Sequence, residues 1–315
     1  MRARASLLAA LAIAALALAL VVRRGGDGGA APAPAARPGP AAPDAETACT
    51  GGARRTRRVS VPVPGRSARS ALVHVPGRRP ARMALVLALH GAYGNGAFME
   101  GYSGLSKLAD REGFAVVYPD AAGPRWRIGA GDGDDDVRFL DALLDRVIAG
   151  GCFDARRVAA VGVSNGAGMA ARFACAGDDR LAGLVAVAGD YRTLPACAAR
   201  RPLSVLEIHG TADAAAPYGT AQDVHGGVLG WVTAWVGRDA CPAAPRRTWQ
   251  SPRILRMAWT RCRDGTTVEH VRLVGAPHAW PGADPPDPGA RLGVSATGET
   301  WAFLRDRRLA PTRRP

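Results

Sequence analysis

Lysine is almost absent from this chain of 315 residues: Lys107 is the single one among 41 basic side chains, and the rest are arginine. With 39 glycines, 24 prolines and a crowd of alanines, the imbalance reads as the codon bias of a GC-rich genome. Aromatics are scarce as well, at 6%, and no arginine run has aromatics interleaved. The formal charge of +14 therefore reads as scattered, solvated arginines rather than a polyanion-binding surface, and no nucleic-acid partner is expected. A Cys-x-x-Cys pair is missing, which removes the usual nucleus of a zinc site. No internal repeat and no sign of a second domain appear.

What is present begins with the N-terminus. Arg2 and Arg4 precede SLLAALAIAALALALVV, uncharged from Ser6 to Val22, a stretch suited to an export signal or a short membrane anchor. Residues 1–24 are expected to be one or the other; without them the charge is still +10, since they carry four arginines and no acids. Residues 25–54 are rich in Pro, Ala and Gly without apolar periodicity, and read as a disordered tether. The even set of six cysteines (49, 152, 175, 197, 241 and 262) then favours disulfides in an oxidising compartment, secreted or at the outer face of a membrane.

From residue 55 to about 310 the pattern is that of one α/β domain. RVSVPV and SALVHVP flank the turn signal PGRSAR and predict an antiparallel hairpin. The runs at 83–91, 114–119, 157–164, 181–189, 203–210 and 268–275 are largely continuous and apolar, as parallel strands buried on both faces are. In DDDVRFLDALLDRVI, Val137, Leu140, Leu144 and Val147 fall on one helical face, and Asp134 to Asp136 sit where the helix dipole favours negative charge. Strands alternating with helices predict a mostly parallel sheet covered on both faces, with ligands beyond the carboxyl ends of its strands.

Those strand exits hold the informative residues. Gly162-Val163-Ser164-Asn165-Gly166 is a Gly-x-Ser-x-Gly motif, for which ten serines and 39 glycines in 315 residues give roughly 0.15 chance matches. It is weak alone. The exit of 83–91 is His90-Gly91-Ala92-Tyr93-Gly94, a later exit is HGTAD with Asp213, and the last is GAPHAW with His278. Ser, Asp, His is the chain order of an α/β-hydrolase triad, and this co-occurrence is far rarer than the serine motif. Ser164 is the expected nucleophile, His278 its base, and Asp213 the group that orients the base, with Asp190 in VAGDY as a competitor. The N–H groups of Asn165 and Ala92 are expected to bind the oxyanion, with Tyr93 the alternative to Ala92.

Other histidines fit the base role less well: His74 and His270 lie inside strands, His225 in a helix, and His90 and His209 at turns before glycines. GDGDDD at 131–136 lacks the glycine and glutamate of a calcium loop, and GAYGNG lacks the Lys-Ser/Thr of a phosphate loop. No metal is expected.

LALHG, VVYPD, Trp126, FDARRVAAVGVSNGAGMA, IHGTADAAAPY and APHAWPG together resemble the secreted polyhydroxybutyrate depolymerase and feruloyl or acetylxylan esterase branch of the α/β-hydrolases, over about residues 55–310. The resemblance implies an α/β-hydrolase fold and carboxylic ester hydrolysis through an acyl-enzyme, without metal or organic cofactor. Motif by motif it carries the nucleophile to Ser164, the acid to Asp213 and the base to His278. Two departures stand out: Ala167-Gly168-Met169 where bulkier residues usually follow the serine motif, and Ala276-Pro277 where a glycine pair usually precedes the histidine.

Tyr93, Trp126 and Trp280 lie near the expected site and are candidates to bind an aromatic or sugar group. Cys241 and Cys262 bracket one excursion between the Asp and His strands and are expected to pair; three pairings of Cys49, Cys152, Cys175 and Cys197 stay open. The expectation is an exported, monomeric esterase acting on a polyester, a polysaccharide-linked ester or a small ester. Peptidase or acyltransferase chemistry on the same triad and a non-catalytic envelope-binding protein are the alternatives.

Overall fold

A computed structural model describes residues 53–309 apart from 64–65, 79, 133, 177–178, 220–225 and 284–291. The N-terminal apolar stretch, nearly all of the tether, Cys49 and His225 lie outside the described residues. Ten strands form one sheet in the order β1-β2-β4-β3-β5-β6-β7-β10-β9-β8. Its parallel centre is β4 (Ala115–Pro119), β3 (Met83–Leu89), β5 (Phe153–Val163), β6 (Gly183–Val187), β7 (Val205–Gly210) and β10 (Val268–Leu273). Each central strand coincides with an apolar run, and β3, β4, β6 and β7 are buried along their whole length. The predicted hairpin is β1 (Arg55–Val63) and β2 (Arg66–Val75), joined antiparallel to β4.

Successive residues of a strand face opposite sides, so each strand feeds two cores. From β3, Met83, Leu85, Leu87 and Leu89 enter one core and Ala84, Val86 and Ala88 the other. The first core is closed by α3 (Asp135–Ile148), α4 (Asn165–Ala176) and α5 (Gly227–Arg238). The second is closed by α1 (Gly96–Ser103), α2 (Leu105–Glu112) and α6 (Ala296–Leu304). Helix α3 buries Val137, Leu140, Leu144 and Val147 as its periodicity predicts. Asp136 does more than complement the helix dipole: it is buried against the Arg69 guanidinium at 2.6 Å and accepts the Arg127 N–H at 2.8 Å. Neighbouring Asp134 and Asp135 pair with Arg172 and Arg138, and Asp132 accepts the Gly129 N–H at 2.7 Å, so the described acids of GDGDDD are held within the protein.

Between Asp213 and His278 the chain makes two strands that the apolar-run reading passes over, β8 (Arg246–Ser251) and β9 (Ile254–Trp259). They extend the sheet antiparallel beyond β10. Strand β8 is solvent-exposed at five of its six positions and polar throughout except for Trp249, so it carries no hydrophobic signature. Cys241–Cys262 closes this hairpin as expected, and Cys175–Cys197 selects one of the three open pairings.

Candidate active site

Ser164 sits between the end of β5 and the start of α4 with φ 57°, a left-handed conformation that costs a side chain of this kind about 1–3 kcal/mol. Its flanking glycines are required by close approach. A Cβ on Gly162 would lie 2.2 Å from Gly166 O, and one on Gly166 would lie 2.3 Å from the carbonyls of Leu89 and His90. The turn is thus clamped onto the exit of β3, where a Cβ on Gly91 would lie 3.3 Å from Ser164 Cβ. Ser164 N–H donates to Val187 O at 3.0 Å, and its carbonyl accepts N–H groups from Ala167, Gly168 and Asp190.

The loop after β3 is held from below. Tyr93 has φ 64° and gives its N–H to Pro124 O, so it has no donor to offer an oxyanion, whereas the Ala92 N–H has no backbone partner among the described residues. Trp126 Nε1 donates to His90 O at 2.9 Å, and the Trp126 N–H donates to Asn165 Oδ1 at 2.7 Å. These bonds fix the Ala92 segment relative to the N-terminus of α4. Trp126 and Trp280 do not offer rings to a substrate, because they are only 1% and 0% exposed. Trp280 gives Nε1 to Thr297 and its N–H to Tyr102, anchoring the loop that carries His278. Tyr93, at 79% exposure, is the aromatic residue on the rim.

Asp213 follows β7 and is buried. Its Oδ1 accepts the N–H groups of Ala215 at 2.9 Å and Ala216 at 2.7 Å, and its Oδ2 lies 2.7 Å from Nδ1 of His278. Burial alone would raise its pKa. Hydrogen bonds from His209, His278 and the Ala216 N–H outweigh that and hold the carboxyl well below its ordinary range. Asp190, its competitor, is taken by Arg192 at 2.8 and 2.9 Å. The loop bearing His278 presses on Gly210, where a Cβ would lie 2.2 Å from Ala276 O, and Ala276 O also accepts the Ala212 N–H. Ala276-Pro277 therefore locks the histidine loop to the acid loop.

Among the described residues Ser164 Oγ makes no hydrogen bond, to His278 or otherwise. Such bonds are often long in a free enzyme and tighten with substrate. His90 is not a competing base: burial lowers its pKa, Nδ1 donates to Gly91 O, and Nε2 accepts the Ala121 N–H.

What strand-exit reasoning missed is a buried cluster beneath Asp213. Glu207, His209 and His270 are fully buried on the α5 side of the sheet. Glu207 Oε1 lies 2.7 Å from His209 Nδ1, and Glu207 Oε2 lies 2.6 Å from His270 Nδ1. The signal was available, since Glu207 and His209 interrupt an otherwise apolar strand at a spacing of two.

A serine on a strained strand-to-helix turn and a buried carboxylate–histidine pair, all at the carboxyl ends of one parallel sheet, define an α/β-hydrolase. The solved structure of an acetyl xylan esterase from Aspergillus awamori shares the fold: TM-score 0.57 at 15% identity, over 79% of this chain and 99% of that one. The chain belongs to the esterase PHB depolymerase family, whose profile matches residues 69–225, and it is an esterase, a carboxylic ester hydrolase. NocK of Nocardia uniformis subsp. tsuyamanensis, a protein named as an esterase, is 32% identical over 246 residues, 72% of this chain and 67% of that protein. The bifunctional acetylxylan esterase/xylanase XynS20E of Neocallimastix patriciarum is 27% identical over 67% of this chain. Feruloyl esterase B of Piromyces equi is 26% identical over 62% of it. The chain spans 31% and 39% of the length of those last two proteins.

Proposed function

We propose that the protein is an exported serine esterase in which Ser164, His278 and Asp213 act as nucleophile, base and orienting acid. The observation that carries this reading is the 2.7 Å contact between His278 Nδ1 and Asp213 Oδ2 on the same sheet edge as the strained Ser164. Asp213 keeps the Nδ1–H tautomer, which leaves Nε2 with a lone pair to take the hydroxyl proton. Ser164 Oγ attacks the ester carbonyl, and the tetrahedral oxyanion is held by the N–H groups of Asn165 and Ala92. His278 then gives the proton to the departing alcohol. Water, deprotonated by the same nitrogen, opens the acyl-enzyme and restores the serine.

The substrate is a carboxylic ester of a polyester, a polysaccharide or a small alcohol. The names of the relatives favour acetyl groups on xylan and feruloyl esters, and the exposed Tyr93 ring supplies an aromatic surface for a feruloyl group. Export is supported by the apolar stretch from Ser6 to Val22 and by the two disulfides. A panel of acetyl, butyryl, feruloyl and hydroxybutyrate-oligomer esters, run with wild type and Ser164→Ala, tests the reading. Hydrolysis of at least one class that vanishes in Ser164→Ala supports it; hydrolysis retained by Ser164→Ala in clean preparations overturns it.

A further inference from the structure

We propose that His209 is a permanent imidazolium clamped between the buried carboxylates of Glu207 and Asp213, and that it is the positioning residue of the triad acid. The inference rests on the triad assignment above. Its basis is the set of atoms facing each nitrogen. Nε2 lies 2.8 Å from Ala216 O and 3.2 Å from Asp213 Oδ2, and neither a carbonyl nor a carboxylate can donate, so Nε2 carries a proton. Nδ1 lies 2.7 Å from Glu207 Oε1. Its Oε1 also accepts from Tyr191 OH at 3.3 Å, and its Oε2 lies 2.6 Å from His270 Nδ1 in a charge contact outside hydrogen-bond geometry; against burial, which would raise its pKa, His209 and His270 keep the carboxyl ionised. Facing an ionised oxygen, Nδ1 must carry a proton too.

His270 completes the arrangement: its Nε2 lies 2.7 Å from Tyr218 OH, so the phenol pairs with that nitrogen while Nδ1 faces Glu207. The Arg272 guanidinium lies over the Tyr218 ring, 5.5 Å from its centroid. Asp190, near Tyr191, is already neutralised by Arg192. Burial alone would lower the His209 pKa, but the Glu207 carboxylate outweighs it, with Asp213 and Ala216 adding to the rise, and the ring is pushed up to about 10.

The consequence is a charge balance beneath the active site. His209 alone would neutralise Asp213 and weaken its pull on the His278 proton. Glu207 restores one net negative charge, so Asp213 is held by an ionic partner while the cluster facing His278 stays anionic. The pair thus separates holding the acid in place from tuning the base.

Long-range nitrogen-15 NMR of the histidine rings in the full-length wild-type protein reads the charge state directly. Both nitrogens of one buried histidine should stay protonated from about pH 5 to about pH 9, and the signal should vanish in His209→Gln. A single protonated nitrogen on His209 in that range overturns the proposal. Kinetics supply a second readout. His209→Gln removes a cation and moves the acid limb of the kcat/KM profile to higher pH; Glu207→Gln removes an anion and moves it lower. In both, kcat falls by about 10²-fold with KM little changed. Shifts of the same sign, or none, overturn it. If Ser164→Ala keeps its activity, the triad assignment fails and takes the positioning role with it. If Ser164→Ala is inactive and the NMR result is negative, this proposal fails alone.

Discussion

Among the described residues Asp213 is the one carboxylate at the carboxyl edge of the sheet whose oxygen meets a partly exposed histidine: its Oδ2 lies 2.7 Å from His278 Nδ1, and the imidazole is 28% exposed beside its fully buried partner. The contact joins the exits of two adjacent parallel strands, β7 and β10. Their loops are pinned together where Ala276 O meets the Ala212 N–H at 3.0 Å.

Asp213→Asn should lower kcat for p-nitrophenyl acetate by about 10³- to 10⁴-fold, because an amide facing Nδ1 favours the wrong tautomer. Asp190→Asn should change it by less than about threefold, since Asp190 serves Arg192 and no histidine. Steady-state rates of the two variants side by side check the assignment. Comparable losses in both would contradict it.

The left-handed backbone at Ser164 predicts a trade between stability and activity. Ser164→Gly removes the side chain that resents φ 57°, so it should exceed Ser164→Ala in unfolding free energy by about 1 kcal/mol. Both should be inactive. Urea unfolding at neutral pH measures the difference, and equal midpoints would mean the turn holds no strain.

Tyr93 and Trp126 should separate binding from architecture. Tyr93→Ala touches an exposed ring, so stability should stay within about 0.5 kcal/mol while KM for aromatic acyl esters rises. Trp126→Ala empties a buried site and loses the indole bond to His90 O, so it should cost about 3–5 kcal/mol. Thermal melts with KM values for a feruloyl ester check both.

Asp239 gives a pH signature of stability. Burial raises its carboxyl pKa to about 6, only partly offset by hydrogen bonds from Thr266 and the Leu203 N–H. A folded pKa above the unfolded one means the native state binds the proton more tightly. This contribution is therefore full below about pH 4 and is lost as pH rises through about 6. Asp239→Asn should gain relative to wild type between those limits. Melting temperatures at both ends test this, and a constant difference would refute it.

The strand exits were legible because buried parallel strands are continuous apolar runs and their functional residues follow at once. Ser164, Asp213 and His278 all stand in such places. Other features depend on contacts between distant segments. Trp126 looked like a binding aromatic because a sequence cannot show that its indole N–H reaches His90 O. Strand β8 is an exposed polar edge, and its only warrant is pairing with β9. Glu207 and His209 stood in plain view, yet their meaning depends on His270, more than sixty residues downstream, lying opposite Glu207 in the neighbouring strand.

The most direct measurement of the central claim is labelling by a fluorophosphonate probe, with the adduct located by peptide mass spectrometry. The probe should form one stoichiometric adduct on Ser164 in wild type and none in Ser164→Ala, and the labelled protein should lose esterase activity. Activity that survives full labelling, or an adduct on any other serine, would contradict the assignment of Ser164 as nucleophile.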